Sequence, residues 1–398
     1  MRVALGLRNR DVRLLLLGGT VSQLGSMLLV VAVPYQVFRV TGSTVATSLA
    51  LALEAVPAIL VGPWAGALID RWHRRTVLIL ANLGAAAGVA LMLCGTTPDR
   101  LPLLYLGLVA EQVAAAFLRP ASTALLPAVA GTGPNLAAAN SAFAFAVGVV
   151  RLAGPPLGTL LLSVGGFGAA VAADVASYLV PAALTVALQR IPAPRRTGTG
   201  AWQVARELRD GVRLLAGSRL LRGMLATTWA YWTANAALTA LLVPFVVRRL
   251  HSPGQDVGYL VSALGVGYLV GSAASRLVVG RHPTRTVLAG AYLAVGAAFL
   301  GMFHAPNMPV AAAFTALAGV PGAIAMVATQ HRIQADVDGT VLGRVSAGFA
   351  TSDALAAVTG AALAPACVAL VGLGGTLTVF SVVVVVTAAA VPLLLPRP

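Results

Sequence analysis

Apolar runs alternate with short clusters of arginine, aspartate, glycine and proline from one end of the chain to the other. A helix needs about 20 mostly apolar residues to cross roughly 30 Å of hydrocarbon. Twelve segments come near or beyond that length: 12–37, 44–69, 76–95, 101–127, 137–163, 167–188, 221–247, 256–279, 284–303, 308–330, 341–371 and 374–395. None of them alternates with a period of two, which argues against a barrel, and an open sheet would leave backbone groups unpaired in lipid. The expected fold class is therefore an all-α membrane protein with twelve transmembrane helices.

The longest polar stretch, Gln189 to Gly223, divides these spans six and six. Its first part carries Pro192, Pro194, Gly198 and Gly200 and reads as a linker. In its second part Trp202, Val204, Leu208, Val212 and Leu215 share one helical face beside Arg206, Arg209 and Arg213. That pattern suits a helix on an anionic inner leaflet. The domains expected are a bundle at 1–188, a cytoplasmic linker at 189–220 and a second bundle at 221–398. The halves also resemble each other. "LVGPWAGALIDRWHRRTVL" from Leu60 aligns with "LVGSAASRLVVGRHPTRTVL" from Leu269 after one inserted residue. Duplicated halves around a central site are a common transporter plan.

Composition narrows the chemistry. The 398 residues are 58% hydrophobic and 10% charged, where a soluble domain carries about 25% charged residues. All 27 basic residues are arginine. Without lysine there is no phosphate-loop lysine, no Schiff base and no lysine general base, so ATP-driven transport by this chain alone is disfavoured. The formal charge of +15 makes no single basic face, and nucleic acid is not an expected partner. The five histidines lack ligand spacing, so no metal or other cofactor is implied. Cys94 and Cys367 lie far apart inside apolar runs and read as buried free thiols. The basic, then apolar N-terminus lacks a small-residue cleavage site and reads as a retained first span. With the N-terminus inside, 21 arginines fall on the inner side and four on the outer; Arg119 and Arg151 lie within spans. This asymmetry predicts both termini in the cytoplasm.

Charge concentrates in "GALIDRWHRRTVL", Gly66 to Leu78, between spans two and three. Gly62 and Gly66 have the spacing that lets helices approach closely. Asp70 at the membrane edge can face a helix N-terminus. Arg71, Arg74 and Arg75 can bond carbonyls, acidic groups or headgroups, or simply enforce topology. Gly66, Leu68, Asp70, Arg71, Arg74 and Arg75 match the signature loop of the major facilitator superfamily, with His73 where a second glycine is usual. "NRDVRLLLLGGTVSQLG", "LPAVAGTGPNLAAANS", "RLAGPPLG" and "GTVLGRVSAG" extend the likeness over nearly the whole chain. The chain thus resembles that superfamily, and within it the bacterial exporters of the drug:proton antiporter type. The resemblance implies two pseudo-symmetric six-helix bundles in a bacterial inner membrane. It also implies a cytoplasmic latch of Gly66, Asp70, Arg71, Arg74, Arg75 and Arg119, with span eleven as the partner of Asp70. In the second copy Val279 replaces the aspartate, leaving Arg281 and Arg285.

Glu54, Glu111, Arg119, Arg151, Asp174 and Asp353 lie within spans. An ionisable group there costs about 2.5–3.5 kcal/mol on insertion scales and usually faces the interior or a wet cavity. A carboxyl that moves between water and a dry interior can load and release a proton. The proton-coupling candidates are Glu111, with Arg151 as its neighbour, then Glu54 and Asp353; Asp174 is read as structural. Fixed ion pairs holding helices together are the alternative. Glu111 and Arg119, eight residues apart, are separated by about 12 Å along a helix and do not touch. Span one has no acid; Gln23 and Ser26 are its polar groups. Gly154, Pro155 and Gly158 mark a bent span five that could seal a gate. Tyr35, Phe143, Trp229, Trp232, Asn235 and Phe349, with Tyr231, are the candidates for an apolar substrate pocket.

These residues predict a monomeric secondary transporter working by alternating access. The expected process is proton-coupled efflux of a hydrophobic drug or secondary metabolite. Siderophore export or uptake is the rival within transport. A membrane enzyme or signalling protein is the rival outside it, and the sequence offers neither a catalytic cluster nor a soluble effector region.

Overall fold

The computed structural model describes residues 9–62, 64–65, 72–131, 134–188, 209, 213, 215–337 and 342–396. Its helices are α1 (Arg10–Thr41), α2 (Thr44–Leu60), α3 (Arg74–Leu91), α4 (Leu101–Ala130), α5 (Pro134–Val186), α6 (Arg219–Ala240), α7 (Leu242–Arg248), α8 (Val257–Val278), α9 (Thr284–Phe303), α10 (Met308–Asp336) and α11 (Leu342–Leu394).

Eight of the described helical stretches are long and apolar enough to cross a membrane, and α6 with α7 forms a ninth, bent by 43°. Two of the eight are too long for one crossing. α5 and α11 each run 53 residues, about 80 Å at the helical rise. Each breaks at one glycine: Gly166 has φ 67° and ψ −169°, and Gly372 has φ 72° and ψ 173°. Only glycine takes up that region readily, because a Cβ there is strained by about 1–3 kcal/mol. Both breaks fall in the gaps between predicted spans. Divided there, and with the 17-residue α2 counted, the described helices give the twelve apolar segments of the expected all-α fold. Gly166→Ala should therefore lower stability by about 1–3 kcal/mol. The check is a thermal melt in detergent, with Gly168→Ala as control, where an added Cβ meets open space.

Two compact units make up the fold: Met1–Thr41 with Val56–Val204, and Gly42–Ala55 with Ala205–Pro398. Both use the same pairings. α1 packs along α5, and α3 packs on α4 and α5. Correspondingly, α6 packs along α11, and α9 packs on α10 and α11. α3 shows why. Val77, Leu78, Ala81, Asn82, Ala85, Ala86, Gly88 and Val89 form one buried stripe at helical spacing. The opposite face exposes Leu80 at 61% and Leu83 at 45%, which suits hydrocarbon and not water. α9 repeats the stripe with Leu288, Ala291, Val295, Ala298 and Met302. Ser218 and Asn307 start α6 and α10 by accepting from Leu221 N and Val310 N, which satisfies otherwise orphaned donors.

Two expectations change. Cys94 is exposed and Cys367 half-buried. Cys94 lies in the turn Met92–Gly95 that ends α3, where Met92 and Gly95 hold the buried positions. From the amphipathic stretch, Leu215 is buried and lies against Gly348 of α11 in the second unit. Residues 201–208 of that stretch lie outside the described residues.

Candidate functional site

A thread of polar side chains crosses the core of the first unit. Glu111 of α4 is 2% exposed, and Tyr178, in α5 beyond Gly166, is also 2% exposed. The Tyr178 hydroxyl donates to Glu111 Oε1 at 2.8 Å. Ser26 Oγ of α1 lies 3.0 Å from the same hydroxyl oxygen, with either group able to donate. Ser26 also lies 3.2 Å from the carbonyl oxygen of Ser22, one turn back. Beside this thread Ser177 donates to Asp174 Oδ1 at 2.8 Å. Asp174 is fully buried, and its Oδ2 has no partner among the described residues.

Small residues let the backbones approach this closely. An added Cβ on Gly25 of α1 would meet Ser177 Oγ at 2.0 Å and Asp174 Oδ1 at 2.2 Å. One on Gly88 of α3 would meet Glu111 N at 2.5 Å. Asp174, Ser177 and Tyr178 share a face of α5 because they are three and four residues apart. The helix pattern thus assembles two carboxyls, a phenol and two serine hydroxyls inside an apolar bundle. A buried polar group is tolerated when it is hydrogen-bonded, and a bond to an ionised group is worth about 1.5–3 kcal/mol.

The other intramembrane candidates are dispersed. Arg151, the expected neighbour of Glu111, is exposed, and Tyr178 is what the structure places on that carboxyl. In the second unit Glu54 is half-buried. Asp353 is also half-buried, and its buried Oδ1 has no partner among the described residues. It acts electrostatically on Tyr292, whose ring stacks on Tyr231 at 5.1 Å.

Gly154, Pro155 and Gly158 are buried. The expected bend is not seen in the dihedrals: α5 departs from helical angles only at Gly166 and runs through Pro155 and Pro156. The prolines still deprive the carbonyls of Arg151 and Leu152 of their usual donors. Of the loop residues, Gly66, Asp70 and Arg71 lie outside the described residues, as does the side chain of Arg119. Arg75 bonds within its own unit. Its Nε donates to the carbonyl of Thr185 at 3.1 Å, and another guanidinium nitrogen donates to that of Val186. These are final carbonyls of α5, where a cation satisfies orphan acceptors and complements the helix dipole. Arg74 starts α3.

A sequence profile of the Major Facilitator Superfamily matches residues 15–245. The chain belongs to this superfamily. It is 27% identical over 322 residues to the multidrug efflux pump Tap of Mycobacterium tuberculosis, covering 78% of this chain and 76% of that protein. It is 27% identical over 362 residues to the enterobactin exporter EntS of Shigella boydii, covering 88% and 82%. Among solved structures, the nucleoside transporter NupG superposes with a TM-score of 0.78 at 12% identity, over 98% of this chain and all of that one. A bacterial homologue of the human lysosomal transporter Spinster superposes with a TM-score of 0.73 at 16% identity, over 96% of each. The protein is thus a multi-pass membrane transporter of the facilitator fold and not an enzyme.

The aromatic candidates of this facilitator fall in both units. In the first, Tyr35 is half-buried with the Arg39 guanidinium 5.9 Å from its ring centre, and half-buried Phe143 points an edge at Gly19. In the second, Trp229 is 40% exposed and Phe349 is buried. Trp232 and Asn235 are half-buried, and Trp232 meets Tyr231 edge-on at 5.4 Å. Sequence reading passed over Tyr178, which counts as an apolar residue in a hydropathy scan. Its signal was its spacing: it stands one turn after Asp174, on the same face.

Proposed function

We propose that this facilitator exports hydrophobic or amphipathic small molecules in exchange for protons, by alternating access across a bacterial inner membrane. Glu111 is the coupling carboxylate in this reading. The observation that carries it is the burial of Glu111 inside an apolar bundle with its Oε1 held by Tyr178. A carboxyl costly to bury is retained there for proton exchange. The outward direction draws on the printed names of Tap and EntS, both exporters and both matched over more than two thirds of their length. Arginine bias supports cytoplasmic termini. The loop from Gly66 to Arg75 is read as the cytoplasmic latch, Gly154 to Gly158 as the gate segment, and the aromatic candidates as pocket lining. EntS makes siderophore export the second reading of the substrate.

The test begins with a susceptibility and secretion panel in a host stripped of its own exporters. Expression should confer resistance to, or release of, at least one apolar compound. Everted vesicles should then accumulate that compound when a proton gradient is imposed, and lose it when an ionophore collapses the gradient. Accumulation indifferent to the ionophore would refute proton coupling; accumulation only in right-side-out vesicles would refute export.

A further inference from the structure

The polar thread ends on a stretch of α1 that bears on the proline pair of α5. Ser26 is followed by Met27 and Leu28. An added Cβ on Gly154 would lie 2.4 Å from Met27 Cβ, and one on Gly158 would lie 3.0 Å from the Leu28 carbonyl oxygen. Between those glycines stand Pro155 and Pro156, where α5 lacks two of its own hydrogen bonds. A change in α1 at residues 22–28 is therefore felt where α5 is least braced.

We propose that Tyr178 and Ser26 form a hydrogen-bond relay that reports the protonation state of Glu111 to the contact between α1 and the Gly154–Gly158 segment. This rests on the reading of Glu111 as the coupling carboxylate. The distances allow two complete orientations of the thread with no heavy atom moved. When Glu111 is ionised, Tyr178 donates to Glu111 Oε1 and Ser26 donates to Tyr178. When Glu111 carries a proton on Oε1, Glu111 donates to Tyr178, Tyr178 donates to Ser26, and Ser26 donates to the Ser22 carbonyl. Tyr178 both donates and accepts in each state, Ser26 donates in each and accepts only in the second, and no proton leaves the thread.

The second orientation loads the Ser22 carbonyl. A serine bonding back to the carbonyl four residues earlier competes with the helix ladder and bends it. Protonation on α4 thus biases the backbone of α1, and α1 passes the bias to α5 through Met27 and Leu28. The two-state element is the direction of the hydroxyls, and Glu111 and the α1 backbone both act on it. The titratable groups around the thread are Glu111 from α4, and Tyr178 and Asp174 from α5. α1 contributes the two serines and Gly25, and α3 presents Gly88.

The relay makes phenylalanine a poor substitute for Tyr178, although a ring needed only for packing would accept it. Amide hydrogen exchange of the full chain in lipid nanodiscs provides the test, with Glu111→Gln as the neutral surrogate. That change should alter exchange in peptides covering residues 22–30 and 150–160 by about threefold or more, the shift expected from one hydrogen bond. In a Tyr178→Phe background, and separately in Ser26→Ala, the same Glu111→Gln step should leave those peptides unchanged. Ser26→Thr, which keeps the hydroxyl, should preserve the response. The same variants are assayed in everted vesicles. If Glu111→Gln uncouples transport but still alters the two peptides in both relay backgrounds, the relay is overturned and the role of Glu111 stands. If Glu111→Gln transports with normal proton dependence, both fall.

Discussion

Gly88→Leu should prevent this transporter from reaching a stable folded state. The three atoms nearest to an added Cβ are all backbone: Glu111 N at 2.5 Å, Gly107 O at 2.9 Å and Glu111 Cα at 3.0 Å. A flexible side chain could swing away, but backbone can yield only by moving α3 off α4. Overfilling a packed site costs about 1–3 kcal/mol, occasionally more. Here leucine adds a branched side chain where even one carbon does not fit. Gly88→Ala should already lower the melting temperature, and Gly88→Leu should abolish the folded peak in size-exclusion chromatography. Gly148→Ala, with nothing within 4 Å of the added carbon, should melt like the wild type. If Gly88→Leu folds normally, the close crossing that holds Glu111 is misplaced.

Glu111→Gln should reduce gradient-driven transport to background while leaving gradient-independent exchange of substrate intact. Glutamine has nearly the shape of glutamate and can donate to Tyr178 through its amide, as the protonated acid does through its hydroxyl. The packing of α4 against α3 would persist, and the thread to Ser26 would hold the orientation of the protonated state. What disappears is the exchangeable proton. A carboxyl can be charged when it meets water and neutral when it is buried, and that difference ties its titration to the conformational cycle. Exchange in the variant should lose its pH dependence across the range where the wild type shows one. Glu111→Leu removes the hydrogen-bonding group as well. It should add a stability loss of about 1–3 kcal/mol, because the buried Tyr178 hydroxyl loses a partner.

The fold was legible because lipid forces each crossing to satisfy its own backbone, so apolar length alone locates the helices. Even the breaks within α5 and α11 could be anticipated, since Gly166 and Gly372 stand where the apolar runs had to turn. The 43° bend between α6 and α7 also has a signal in the sequence: Pro244, three residues after Leu241, has no N–H to donate to the Ala240 carbonyl. Side-chain partnerships were harder. Opposite charges in neighbouring spans suggested Arg151 for Glu111, yet hydropathy does not fix the rotation of one helix against the next. The structure leaves Arg151 exposed and buries Tyr178 against the carboxyl, a residue whose apolar ring hid its hydroxyl from a search for charge. Arg75 shows the same limit. Its place in a signature loop was plain, whereas its bonds to the last carbonyls of α5 depend on where that helix ends.

Coupling is tested most directly in proteoliposomes containing the purified protein and a pH dye in the lumen, loaded with the compound that the panel identifies. Dilution lets the compound leave down its gradient. An antiporter working through Glu111 must bring protons in as the compound goes out, so the lumen should acidify with the wild type and hold its pH with Glu111→Gln. Exit of the compound from wild-type vesicles without acidification would contradict the account.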